Sequence, residues 1–291
     1  MSAPVQSPRS FPADGNLRRR QLWNRVMLVL LVLGSLIVVA PLVLVLGAVV
    51  MKGIAAINLA FFLEPFRPLD EGGGGLAHAI VGTLLMNLLA LLIGGVLGLA
   101  GGILLSEYPD HPINPTLRVI SDLLNGLPAL LKGLVVYAVV VIPTGQFSGY
   151  AGALALALIM VPIVLRATEG VLKLVPWSVR EAGLALGLPR WRVILSLVLP
   201  AATSGVITGL MLGFARAAGE AAPLYFTAGG SQLLTFNLSQ QVESLALSIY
   251  KYANEPSPLR QEQAWAASLV LTLLVLAASL LARWATRRWT S

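Results

Sequence analysis

Arg216 and Glu220 stand four residues apart in the segment ARAAGEAAPL, within a stretch that otherwise carries no charge. On a helix this spacing puts both on one face. A guanidinium offers a planar fork of donors suited to an oxyanion. A carboxylate beside it holds the fork ready and weakens anion binding enough for release. As a solvated helix pair the two contribute only about 0.2–0.5 kcal/mol, too little to account for two charges in apolar surroundings. The plain alternative is a buried pair that only fixes how helices pack. Lys132, in NGLPALLKGLVVY, is a third charge in apolar sequence. At the centre of a membrane it would cost roughly 2.5–3.5 kcal/mol, so it either snorkels toward an end or faces a protein cavity on a transport pathway. Both readings stay open.

Other chemistries are excluded. The chain has no cysteine, which removes disulfides and thiolate ligands. Its two histidines, His78 and His111, flank one apolar stretch on opposite sides and cannot share a metal. The run Gly72–Gly75 is not followed by lysine and Ser/Thr as a phosphate-cradling loop requires, and is read as a flexible hinge. No nucleophile with a base and no nucleotide-binding motif appears. The sequence therefore predicts no catalytic residue, no metal and no cofactor bound by this chain.

The elements that position the three charges are membrane helices. Hydrophobic residues make up 57% of the 291 residues, charged ones 11%, and mean hydropathy is +0.82, far from a soluble domain. Apolar runs predict six spans: Met27–Val50, with Pro41 expected to kink it, Leu76–Leu105, Leu123–Pro143, Phe147–Leu165, Gly205–Gly229 and Ala264–Ala282. Arg216 and Glu220 then fall near the middle of the fifth. The predicted layout is an all-α membrane protein: a flexible tail at 1–25, a first helix at 26–52, an extracytoplasmic loop at 53–75, a five-helix core at 76–282 with an outer loop at 230–263, and a tail at 283–291. The first apolar run is longer than a signal-peptide core and is read as retained.

Net charge is +7 and pI about 10.1. Most of the 20 lysines and arginines fall on one side of this layout, among them Arg9, Arg18–Arg20, Arg166, Arg180, Arg190, Arg283 and Arg288. Lys52, Arg67, Lys251 and Arg260 fall on the other. The asymmetry puts both termini in the cytoplasm and reads the basic charge as topology, not nucleic-acid binding. The basic N-terminal tail has anionic lipid as its alternative partner.

Pro176–Pro200, PWSVREAGLALGLPRWRVILSLVLP, interrupts the apolar pattern on the cytoplasmic side. Ser178 and Glu181 have the spacing of a capping box. Gly187 suits a left-handed helix end, and Pro189 suits the first position of a second helix. Trp191, Ile194, Leu195 and Val198 give that second helix an apolar face. Two short helices lying on the membrane surface are expected.

Glu181-Ala182-Gly183, then Gly187, then Leu197-x-Leu199-Pro200 resembles the EAA motif of ABC importer permeases, with Gly183 in place of alanine and Leu197 in place of isoleucine. HAIVGTLLMNLLALLIGGVLGLAGGILLSEY, GALALALIMVPIVLRATEGVLKLVPWSVREAGLALG and LPAATSGVITGLMLGFARAAGEAAPLYFTA resemble the A-type permeases of Pst phosphate importers, with ARAAGEAAPL the most specific part. The third span departs at Ala129 and Lys132. The resemblance implies a type I ABC importer permease fold in the bacterial inner membrane. It implies four kinds of partner: a C-type second permease, an ATPase pair that holds ATP-Mg, an extracytoplasmic phosphate-binding protein, and membrane lipid. It implies that Arg216 and Glu220 line the translocation path, and that Arg180, Glu181, Ala182, Gly183 and Gly187 form a coupling helix docking on the ATPase.

In the outer loop Val242, Leu245, Ala246 and Ile249 recur at helical spacing. That helix and the loop Gly53–Gly75 are expected to receive the binding protein, with Glu243 as the cross-linking position, or else the helix lies in the membrane interface. Two other functions fit the charges: a permease for sulfate or molybdate, and an ATP-independent secondary transporter using Glu220 or Lys132 as proton carrier.

Overall fold

A computed structural model describes residues 15–287 of the chain; Arg9 and Arg288 lie outside them. The described chain is helical, and it divides into two compact units, one ending at Met51 and one beginning at Lys52. The first unit is carried by helix α1 (Gly15–Ala56). Its mean hydropathy reaches 3.1 over a membrane-length window, and a helix apolar on all sides suits lipid. It starts at Gly15, so part of the expected tail is helical.

The second unit contains α2 (Ala77–Glu107), the bent pair α3 (Asn114–Gly126) and α4 (Ala129–Thr144), α5 (Gly149–Lys173), and the short α6 (Trp177–Ala185). The long α7 (Arg190–Ala218) follows, then α8 (Ala222–Thr227), α9 (Leu245–Ala253) and α10 (Pro258–Arg287). Among the described residues five helices are long and apolar enough to cross a membrane, and six if the bent pair counts as one span.

Several span boundaries differ from the sequence reading. The third span is broken: α3 and α4 meet at 111°. Pro128 drives Leu127 out of helical geometry, to φ −72° and ψ 133°, and an average over the apolar run hides that break. The chain between the second and third predicted spans is helical from Asn114. The fifth span covers Arg190–Ala218 instead of Gly205–Gly229.

The core is built around α5. Gly94, Gly98 and Gly102 bring α2 against Ala157, Val164 and Thr168, where added Cβ atoms would lie 2.5–2.9 Å from α5. Gly205, Gly209 and Gly213 bring α7 against Val171, Ala167 and Val164. Glycines one turn apart make a groove that lets backbones approach closely. The pairing order makes α2 parallel to α5 and α7 antiparallel to it. One end of the unit therefore gathers Glu107, Lys173 and Arg190 and is strongly basic; the other gathers His78, Gly149 and the chain between α7 and α10.

At that second end the glycine run is no hinge. Gly72, Gly73 and Gly74 all have positive φ, and the Gly73 carbonyl accepts from Arg260 Nη1 at 3.0 Å. Arg260 is buried, donates also to the Arg67 carbonyl at 2.6 Å and to Gln263, and lies between the rings of Phe66 and Tyr252. A guanidinium sunk among carbonyls and aromatic faces fixes this loop to α10.

Candidate functional site

Arg216 and Glu220 do not lie in the middle of their helix. Arg216 occupies the last turn of α7, and Glu220 follows the terminal Gly219. Arg216 Nη2 is 2.8 Å from Glu220 Oε1. The two are out of line, so that buried oxygen has close opposite charge but no hydrogen-bond donor. The depth is nonetheless central: Gly213, three residues before Arg216, packs between Met160 and Val164, halfway along α5. A helix that stops there directs its last carbonyls at mid-depth, where a guanidinium is favoured. The Arg216 side chain is 62% exposed and that of Glu220 only 12%. The cation thus faces away from the core while its counter-charge is held inside.

Lys132 is buried, which removes the snorkelling alternative, and lies within electrostatic reach of Glu220 and Arg216. Gly133 makes this possible, because a Cβ there would sit 2.6 Å from Pro223 Cα. That close approach brings α4 onto α8, just past Glu220. Beside them Leu130, Ala221, Ala222, Tyr225, Phe226 and Tyr250 line a cavity of about 470 Å³. The three charges singled out in sequence therefore form one cluster.

The Pro176–Pro200 stretch carries α6 as expected, with one correction of its start, one of its second helix and one of Arg180. Pro176 caps α6 and no side chain does, so Ser178 lies inside the first turn and the capping box with Glu181 does not form. A proline with φ −56° already presets the helix entry. Gly187 has φ +77°, as a left-handed end requires. The second helix does not lie on a surface; it opens α7 and continues into the core.

Glu181, Ala182 and Gly187 are exposed, together with Trp177, Leu184 and Leu186. Gly183 is buried against Val193 and Leu197, 2.8 and 2.7 Å from where its Cβ would lie. Arg180 is also buried and cannot supply a surface charge. It pairs with Glu107, Nε to Oε2 at 2.8 Å and Nη2 to Oε1 at 2.5 Å. Its hydrogen bonds to Glu107 hold the guanidinium above its ordinary pKa. Glu107 was missed in sequence; an acidic residue closing a long apolar helix was the available signal.

At the opposite end, the outer-loop helix exists as α9, started by Ser244 accepting from the Leu247 amide. Its apolar face is buried in the protein: Leu245, Ala246 and Leu247 are inaccessible or nearly so. Glu243 precedes the helix and is buried, paired with Lys251 at 2.8 Å, so it is not a cross-linking position. Burial raises its pKa despite Lys251. Burial likewise pushes the Tyr252 hydroxyl up to about 12, against the opposing pull of Arg260. Among the described residues no group of three or more His, Asp or Glu side chains is arranged to hold a metal ion.

Glycine-laddered membrane helices here carry charges gathered at mid-depth and a surface helix fastened to the helix ends. The chain belongs to the family of inner-membrane components of binding-protein-dependent transport systems, whose model matches residues 98–291. It is 44% identical over 271 residues to the phosphate transport system permease protein PstA of Yersinia pestis, covering 91% of this chain and 92% of that one. It is 40% identical to PstA of Xylella fastidiosa over 268 residues, 91% of this chain and 93% of that protein. Its fold matches a chain of the MetNI methionine ABC transporter in inward-facing form. The TM-score is 0.63 at 19% identity, over 74% of this chain and 96% of that chain. The fold is that of ABC importer permeases.

Proposed function

We propose that this chain is the membrane-spanning permease subunit of an ATP-driven importer of inorganic phosphate. The observation that carries the reading is the match to PstA proteins over about nine-tenths of both chains. The basic end faces the cytoplasm by the positive-inside rule, with both termini on that side of a bacterial inner membrane. The exposed side of α6, with Glu181, Ala182, Leu184 and Gly187, docks on one subunit of an ATPase pair that binds ATP-Mg; this chain binds no cofactor itself. A second, C-type permease covers the exposed face of Arg216, and an extracytoplasmic phosphate-binding protein delivers substrate at the opposite end.

Within the path, Arg216 receives the oxyanion through its planar fork. Glu220 holds that fork in its absence and limits the depth of the binding well, and Lys132 adds positive potential at the same level. ATP-driven closure of the ATPase pair moves the coupling helices together, and the spans rock to change the side on which the cluster is open.

The test is uptake of labelled phosphate by cells that have this importer as their only phosphate route, with excess unlabelled sulfate or molybdate. Phosphate uptake that neither anion suppresses is expected. Suppression by either one reassigns the oxyanion.

A further inference from the structure

Glu107 closes α2, and the α6 residue it meets is Arg180, whose side chain spends its donors on three separate pieces of the chain. Nε and Nη2 bind the two Glu107 oxygens. Nη2 also donates to the Leu172 carbonyl at 3.0 Å, and Nη1 to the Val175 carbonyl at 2.8 Å. Those carbonyls belong to the last turn of α5 and the link after it, where helix carbonyls lack amide partners. Arg190, the first residue of α7, donates to the Glu107 main-chain carbonyl and lies over the Tyr108 ring at 4.5 Å. Gly183, one turn along α6 from Arg180, seats α6 on Val193 and Leu197 of α7. The ends of α2, α5 and α7 thus meet α6 around the buried Glu107–Arg180 pair.

The two faces of α6 differ accordingly. Glu181 and Leu184 point out, and Arg180 and Gly183 point in. A short helix held only by packing can roll when a partner pulls on it. A helix held by a bidentate, buried guanidinium cannot roll without breaking several charge-assisted bonds together.

We propose that the Glu107–Arg180 pair is the joint through which movement imposed on α6 reaches α2 and α5, so that α6 and the basic ends of those helices move as one body. Both are positioning residues: neither touches substrate or nucleotide. The proposal rests on the reading of α6 as the ATPase-facing helix. A lysine at 180 keeps the charge but not the fork, and a glutamine at 107 keeps the shape but not the charge.

The test uses the complete importer in proteoliposomes, with inorganic phosphate and ATP. Glu107→Gln and Arg180→Lys are expected to copurify with the ATPase subunits and still hydrolyse ATP, while ATP spent per phosphate imported rises about fivefold or more, the size of a typical coupling term. An unchanged ratio overturns the joint. Glu181→Arg, on the outer face, separates the two readings. If it leaves the ATPase bound, α6 is not the docking helix and the joint falls with it. If it releases the ATPase while Glu107→Gln leaves the ratio unchanged, the joint alone fails. A measurement independent of variant folding uses the absence of native cysteine: spin labels at Leu97→Cys on α2 and Ala185→Cys on α6, both exposed positions, with cysteine-free partner subunits. The label distance is expected to stay constant on adding ATP, and a distance that changes with ATP overturns the proposal.

Discussion

Arg216 reaches past the end of its own helix to Glu220, with Nη2 2.8 Å from Oε1, yet leaves most of its side chain outside the packed core. Glu107, by contrast, pairs with a guanidinium that is itself buried. In the Arg216 pair the anion is held and the cation is presented. Arg216→Ala is expected to lower phosphate uptake at least about tenfold, equivalent to about 1.4 kcal/mol, while the variant still copurifies with its ATPase. Wild-type uptake would assign the pair to helix packing.

Lys132 is buried within reach of the same pair. Lys132→Met removes the charge at little change in volume, so packing is largely preserved. Uptake several-fold below wild type, with unchanged assembly, is the expected result. Full uptake would make Lys132 a packing residue with no part in the path.

Gly183 leaves little room for a side chain. Gly183→Ala already places a Cβ 2.7 Å from Leu197 Cδ1 and 2.8 Å from the stiff Val193, and Gly183→Val adds two methyls to the same contact. The valine variant should lose about 1–3 kcal/mol through overpacking and retain less ATPase on copurification, with the alanine variant between it and wild type. Equal behaviour of the two would show that α6 does not sit on α7 this closely.

Tyr252 gives a pH signature. Its folded pKa, about 12, lies above the ordinary tyrosine value of about 10. The unfolded chain therefore loses this proton first. The contribution is fully present below the unfolded value and is lost as pH rises through the folded one. Thermal stability in detergent should fall between about pH 10 and pH 12 through this group by roughly 2–3 kcal/mol. Tyr252→Phe keeps the ring beside Arg260 and should remove that part of the loss. An identical alkaline profile in the variant would contradict the assignment.

Much of this architecture was readable because its signals are local. Gly187 announced a left-handed helix end and has one, and ARAAGEAAPL marked charges that the fold collects with Lys132. Errors arose where local signals competed. Ser178 and Glu181 have capping spacing, but Pro176 starts the helix earlier and leaves them no role as a cap. The apolar face of Trp191, Ile194, Leu195 and Val198 made the opening of α7 look like a surface helix, although Gly205, Gly209 and Gly213 bind the rest of it to α5. Pro128 breaks the third span inside an apolar run whose average stays high. The Glu107–Arg180 pair joins residues 73 positions apart, and a single sequence carries no record of such a contact.

This chain is expected to move phosphate only as part of an ATP-driven importer. Labelled phosphate uptake into proteoliposomes containing this chain, its second permease and the ATPase pair, with the phosphate-binding protein outside, tests it most directly when ATP is either enclosed or omitted on the ATPase side. Uptake that requires both ATP and the binding protein, and that an uncoupler does not abolish, is the predicted result. Uptake indifferent to ATP, or collapsing with the proton gradient, would contradict the account.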